Sequence, residues 1–157
     1  MNHTLDDTML RHAHQCDLDD IMEIELLSYE NPLPRIVVQR LIDDSQFLVC
    51  GLARDGWFEV LGFLQYEYVV DLNILATRLA VHPSCRRRGI GSKMIAYLRR
   101  NAGGNHADES DEEHYVDFVM RPFDHAIAAE LFLASENFTL EKSAAGVHVY
   151  RTKKEQI

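Results

Sequence analysis

Long hydrophobic runs are missing from this sequence: no apolar stretch comes near the roughly 18 residues that a membrane span requires. The first residues are polar and offer no apolar segment of a signal peptide, so a cytoplasmic chain is expected. Cysteine is scarce. Cys16, Cys50 and Cys85 are odd in number and far apart, which excludes a disulfide framework and a zinc-finger spacing, gives no metal site to expect, and suits a reducing compartment. Positive charge is in deficit: 16 Lys and Arg stand against 25 Asp and Glu, a net charge of −9. That balance excludes general nucleic-acid binding and favours cationic partners. Two nucleotide-binding signatures are also absent. No Gly-Lys-Ser/Thr closes a P-loop, and the basic turn near residue 89 has two glycines where a dinucleotide fingerprint has three, with polar loop rather than the end of a second strand about 20 residues on.

What is present is an ordinary globular composition, 46% apolar over 157 residues, enough for one domain spanning 1–157. Against the acidic background the basic residues cluster: Arg86, Arg87, Arg88, Lys93, Arg99 and Arg100 fall within fifteen positions. They surround a strand–turn–helix. An apolar run ends in Val81-His82-Pro83, where proline has no N–H to give a sheet. A helix follows from about Ile90. Gly89 and Gly91 let main-chain amides approach a ligand, and the helix start adds free N–H groups and the positive end of its dipole. Arginines and Lys93 add charge. Such a cradle fits a diphosphate. Cys85 within it reads as a turn residue without chemistry.

Hydrophobic spacing and turn residues order the rest of the chain. A strand is expected at 8–13, then a helix capped by Asp17 whose face mixes Ile21, Ile24, Glu25 and Ser28. Asn31-Pro32-Leu33-Pro34 breaks it, and a second helix runs over 35–43. Strands follow at 47–53, 57–69 and 74–81, the first two joined by a turn at Arg54-Asp55-Gly56. The helix after the glycine turn runs over 90–101, with Ile90, Met94, Tyr97 and Leu98 inward. Residues 102–113 form a polar, acidic insert, expected to be a flexible loop. A strand at 115–120, a helix at 124–135 with Asn137 as its left-handed cap, and a hairpin of 138–142 with 147–152 complete the order. The fold class implied is α/β, a mixed sheet with helices on both faces.

The stretch Leu79-Ala80-Val81-His82-Pro83 followed by Arg86-Arg87-Arg88-Gly89-Ile90-Gly91 resembles motif A of the GCN5-related N-acetyltransferase (GNAT) superfamily. Leu10-Arg11-His12-Ala13, Leu61-Gly62-Phe63-Leu64-Gln65-Tyr66-Glu67 and residues 130–138 are similar to further segments of that family. Residues 23–32 are similar to the acceptor-side segment of ribosomal-protein-alanine acetyltransferases. The resemblance implies the GNAT fold, with a mostly antiparallel central sheet. It implies acetyl-CoA as acetyl donor and an amine acceptor, protein or small molecule, with no nucleic acid or membrane partner and a monomer or homodimer.

Residue by residue, the resemblance places the pyrophosphate at Arg86, Arg87, Arg88, Gly89, Ile90, Gly91 and Ser92. It places the pantetheine arm along the main chain of Leu79 and Val81, with the Val81 N–H polarising the thioester. Acceptor contacts fall on Ser28, Tyr29, Glu30 and Tyr66. Glu67 is the first candidate base, provided that burial raises its pKa. Asp117 is the second, and His82 at the strand end reads as a packing residue. Three departures stand out. The family's Leu-Tyr on the last helix, whose tyrosine protonates the leaving thiolate, is Phe132-Leu133; the asparagine of that helix is absent near Asp124 and Ala126; and residues 141–146 are a tight connection where peptide acetyltransferases have a longer loop. Tyr97 or water is left to supply the proton. A small-amine acetyltransferase, or a domain that binds acyl-CoA without turnover, is the alternative.

Overall fold

The computed structural model describes residues 7–104, 113–121 and 127–154. Its elements run β1 (Met9–His12), α1 (Leu18–Ser28), α2 (Arg35–Asp43), β2 (Phe47–Arg54), β3 (Trp57–Tyr68), β4 (Ile74–Val81), α3 (Ile90–Asn101), β5 (Tyr115–Met120), α4 (Ile127–Ser135), β6 (Thr139–Ala144) and β7 (Val147–Lys153). The strands form one sheet in the order β1-β2-β3-β4-β5-β7-β6. Pairing is antiparallel for β1–β2, β2–β3, β5–β7 and β6–β7 and parallel for β4–β5. Consecutive strands joined by tight turns must run antiparallel. The β4–β5 connection instead carries α3, and a helical crossover returns the chain to the same end of the sheet. The mixed, mostly antiparallel α/β fold is the expected one.

The chain forms two compact units, Met1–Gln65 with Arg78–Met94, and Tyr66–Thr77 with Ile95–Ile157. In the first, Ile21 and Ile24 of α1 and Val38 and Ile42 of α2 bury against Phe47, Val49 and Phe63. The rings of Phe47 and Phe63 meet edge-on at 5.4 Å. Burying each such side chain contributes roughly 1.5–3 kcal/mol. Gly62, next to Phe63, faces the other way along the strand. A Cβ there would stand 3.2 Å from Ile90 and 3.3 Å from Met94 of α3. Helices α1 and α2 therefore lie on one face of β3 and the start of α3 on the other.

The helix boundaries follow from local chemistry. Pro32 and Pro34 stop α1 from continuing, and Pro34 stands at the N-cap of α2. Asp17 occupies the N-cap of α1, but its carboxylate does not cap that helix. It accepts from the His14 amide at 2.8 Å and from both terminal nitrogens of Arg11, at 2.6 and 2.9 Å, tying β1 to the turn before α1. The expectation of a side-chain cap is corrected accordingly: a bidentate guanidinium is the stronger partner.

In the second unit, Ile74, Leu75 and Ala76 pair with Val116, Asp117 and Phe118. The Lys154 ammonium donates to the carbonyls of Arg100 and Ala102, both at 2.9 Å, where α3 ends. Asn137 has a φ of 64° and terminates α4, as its position suggested. The β6–β7 turn places Ala145 and Gly146 at φ of 53° and 78°, the handedness that a two-residue hairpin requires. The acidic insert and the expected start of the last helix fall on residues 105–112 and 122–126, outside the described residues. Among the described residues no helix is long and apolar enough to cross a membrane.

Candidate functional site

Strand β4 alternates buried and half-buried residues over its whole length. It ends where Pro83 opens a single 3-10 turn, Pro83–Cys85. His82 caps that turn: its Nδ1 accepts from the Ser84 amide at 3.2 Å and lies 2.8 Å from the Ser84 hydroxyl. The ring has a structural task, which accounts for histidine before this proline. Cys85 is buried, with its sulfur 3.4 Å from Ser84 Oγ.

The chain then reverses. Arg87 has a φ of 63° and Gly89 a φ of 78°, whereas Arg88 between them does not. Alternation of this kind turns successive amides toward one side and forms a concave nest for an anion. Left-handed φ is free of cost for Gly89 and costly for Arg87, and strain of that sort clusters at binding sites. The first intrahelical bond of α3 runs from the Lys93 amide to the Gly89 carbonyl at 3.0 Å. The amides of Ile90 and Gly91 precede it, at the positive end of the dipole. Arg86, Arg87 and Arg88 are exposed around them, and Arg86 Nε donates to the Val81 carbonyl at 3.1 Å. Lys93, counted above among the charges of the cradle, reaches elsewhere: its ammonium binds the carbonyl and hydroxyl of Thr8 at 2.5 and 2.9 Å. Gly62 lets this helix start seat closely, since a Cβ there would also stand 3.0 Å from the Ala80 carbonyl.

The His82 amide donates to the Leu61 carbonyl at 2.8 Å, so this edge of β4 faces β3. By strand alternation the main-chain groups of Leu79 and Val81 face the other way. Those of Leu79 are engaged. Its N–H donates to the Tyr29 hydroxyl at 3.2 Å, and that hydroxyl donates to its carbonyl at 3.0 Å. The Tyr29 ring lies 3.9 Å from the guanidinium carbon of Arg78. Arg78 is ion-paired with Glu25. Glu25 Oε1 also accepts from the Leu33 amide at 2.9 Å, and Arg78 donates to the Asn31 carbonyl at 3.4 Å. Residues 29–33 are thereby latched to β4 through one buried ion pair.

That latch was missed from sequence, although its signal is there. Arg78 stands in the buried phase of an alternating strand, between Ala76 and Ala80. Glu25 stands on the inward face of α1, beside Ile21 and Ile24. Opposite charges placed in two buried phases are expected to find each other. Glu25 is 1% exposed. Its Oε2 and the neighbouring Ser28 Oγ are buried without a hydrogen-bond partner among the described residues.

The remaining candidates sit as follows. Glu30 is exposed and Tyr29 and Ser28 are half-buried. Tyr66 is buried, and burial, together with a hydrogen bond to Tyr97, holds its hydroxyl well above the ordinary value. Its ring meets those of Tyr68 and Tyr97 at 6.3 and 6.5 Å. Glu67 is exposed at the end of β3, so the burial on which its candidacy as a base rested is absent. Strand alternation accounts for this: Tyr66 takes the inward position and Glu67 the outward one. Asp117 is held by Arg151 through two bonds of 2.8 and 3.0 Å, and a base role would require that fork to open. His14, Cys16 and Asp17 bring ligand atoms within 4.8 Å of one another, but the Asp17 carboxylate is committed to Arg11.

Residues 43–140 match the family model described as an acetyltransferase (GNAT) domain. No curated protein sequence matches the chain. Among solved structures, Ard1 from Thermoplasma volcanium is similar with a TM-score of 0.73 at 15% identity, covering 96% of this chain and 99% of that one. The PaiA N-acetyltransferase of Thermoplasma acidophilum, in complex with coenzyme A, gives 0.69 at 13% identity, covering 93% and 98%. The ribosomal-protein-S18-alanine N-acetyltransferase of Escherichia coli gives 0.67 at 15% identity, covering 96% of each.

Proposed function

The chain belongs to the acetyltransferase (GNAT) domain family, and from that premise we propose that it moves an acetyl group from acetyl-CoA to a primary amine by direct attack in a ternary complex. The observation that carries this reading is the turn after β4: alternating φ at Arg87, Arg88 and Gly89, the start of α3, and exposed arginines are features that suit a diphosphate. The similar PaiA structure holds coenzyme A, which supports the same ligand here.

In this reading the amine nitrogen attacks the thioester carbonyl, and the Val81 N–H receives the oxyanion. The tetrahedral adduct collapses, the C–S bond breaks and the thiolate of CoA leaves. Water protonates it, because Phe132 and Leu133 hold no acidic proton. The proton lost by the amine passes to solvent. The acceptor is a protein N-terminus or lysine, received at Ser28, Tyr29 and Glu30; a polyamine or aminoglycoside is the alternative. The net charge of −9 favours either cation.

Calorimetric titration with acetyl-CoA, followed by an assay of free thiol release across peptides, polyamines and aminoglycosides, tests the proposal. Saturable binding with thiol release for one class supports it. Absence of binding removes it. A non-catalytic sensor has one observation in its favour: Leu133, standing where the family carries its tyrosine, is 2% exposed and part of the core. Binding without thiol release across the whole panel would select that reading.

A further inference from the structure

Tyr29 was expected on the acceptor side, yet its hydroxyl meets the main chain where the proposed donor arm would pair. A hydroxyl can give one proton and accept another. That of Tyr29 does both to a single residue, donating to the Leu79 carbonyl at 3.0 Å and accepting from the Leu79 N–H at 3.2 Å. An amide of a pantetheine arm lying along a strand edge offers the same pair, a carbonyl for the N–H and an N–H for the carbonyl. The two cannot occupy Leu79 together. We propose that the Tyr29 hydroxyl is an internal stand-in for the donor's amide, closing the edge of β4 at Leu79 until acetyl-CoA displaces it.

The surroundings fit such a shutter. The Tyr29 ring rests on the Arg78 guanidinium, and Arg78 is fixed by the buried Glu25. The perch stays in place when the hydroxyl is displaced. Glu25 and Arg78 also hold the Leu33 amide and the Asn31 carbonyl, so the backbone around Tyr29 stays anchored while its hydroxyl gives way. Tyr29 here is a positioning residue.

The inference rests on the proposed donor site, and the probes separate the two. Acetyl-CoA and 3′-phospho-ADP share the phosphates; only the first has the arm. In Tyr29→Phe the ring and its stacking on Arg78 remain while the competing hydroxyl is gone. Acetyl-CoA should bind about tenfold more tightly to this variant than to wild type, from the loss of about one competing hydrogen-bond pair. The affinity for 3′-phospho-ADP should not change. Unchanged or weakened acetyl-CoA binding, with 3′-phospho-ADP binding retained, overturns the inference and leaves the donor site standing. If neither ligand binds wild type, the donor site fails and the inference with it. The wild-type protein gives a second reading should the variant not fold. With tyrosine rings isotopically labelled, the Tyr29 resonances should shift on saturation with acetyl-CoA and stay in place with 3′-phospho-ADP. A Tyr29 signal unmoved by saturating acetyl-CoA overturns the proposal.

Discussion

The turn after β4 and the edge of β4 just before it are built on opposite plans. The turn is made of main chain: a left-handed φ at Arg87 and Gly89 and the start of α3, with arginines exposed around it. The edge is governed by side chains: Tyr29 bonded to Leu79, Arg78 beneath the ring, and Glu25 buried behind. A main-chain cradle is specified by a few adjacent residues, because dihedral angles and helix starts are local. A side-chain latch is specified by residues some fifty positions apart, such as Tyr29 and Leu79, that meet only in the folded protein. In the proposed reading the first binds the donor's phosphates and the second decides when the strand edge is open.

Substitutions should separate the two plans. The largest effect is expected from reversing the turn, Arg86→Glu with Gly89→Asp. The heat of acetyl-CoA binding should vanish, an affinity loss of at least about 100-fold, while the melting temperature changes little, because these positions lie outside the core. Next comes Glu25→Gln, which leaves the buried Arg78 without its counter-charge. Breaking a buried pair costs about 3–5 kcal/mol, read as a lower denaturant midpoint at constant slope. A loss under about 1 kcal/mol would mean that the latch is an incidental contact. A smaller effect is expected from Gly62→Val. A side chain there meets Ile90, Met94 and the Ala80 carbonyl and must push the start of α3 outward. Overpacking of this kind costs about 1–3 kcal/mol, and acetyl-CoA should bind less tightly, because the cradle moves with the helix.

The smallest effect concerns acid stability. Burial alone would raise the Asp17 carboxyl, but the Arg11 fork and the His14 amide outweigh it and hold the group below its ordinary 3.8. A depressed carboxyl stabilises the fold fully above its unfolded value, and the contribution is lost as pH falls toward and through the folded one. Wild type should therefore lose stability below about pH 4 more steeply than Arg11→Met. Equal acid slopes would show that Asp17 titrates alike in the folded and unfolded chain.

What the sequence disclosed follows the same divide. The bounds of α2, β4, α3 and β5 were legible because proline, glycine and apolar spacing act within a few residues. Asn137 was legible as a left-handed cap for the same reason. Lys93 and Glu67 were not. The lysine stem carries its charge to Thr8, 85 positions earlier in the chain, and Glu67 lies in the outward phase of a strand whose inward phase belongs to Tyr66. Asp117 looked available because nothing near it in sequence announces Arg151, which only the β5–β7 pairing brings opposite. Charge on a side chain is a long-range question, and only the folded chain answers it.

In the proposed complex the main chain of the turn grips the pyrophosphate of acetyl-CoA. Backbone amide resonances followed during titration test it most directly. The amides of Arg88, Gly89, Ile90 and Gly91 should show the largest shifts, and 3′-phospho-ADP should reproduce them. Shifts that leave these four amides in place while acetyl-CoA saturates the protein would contradict the account.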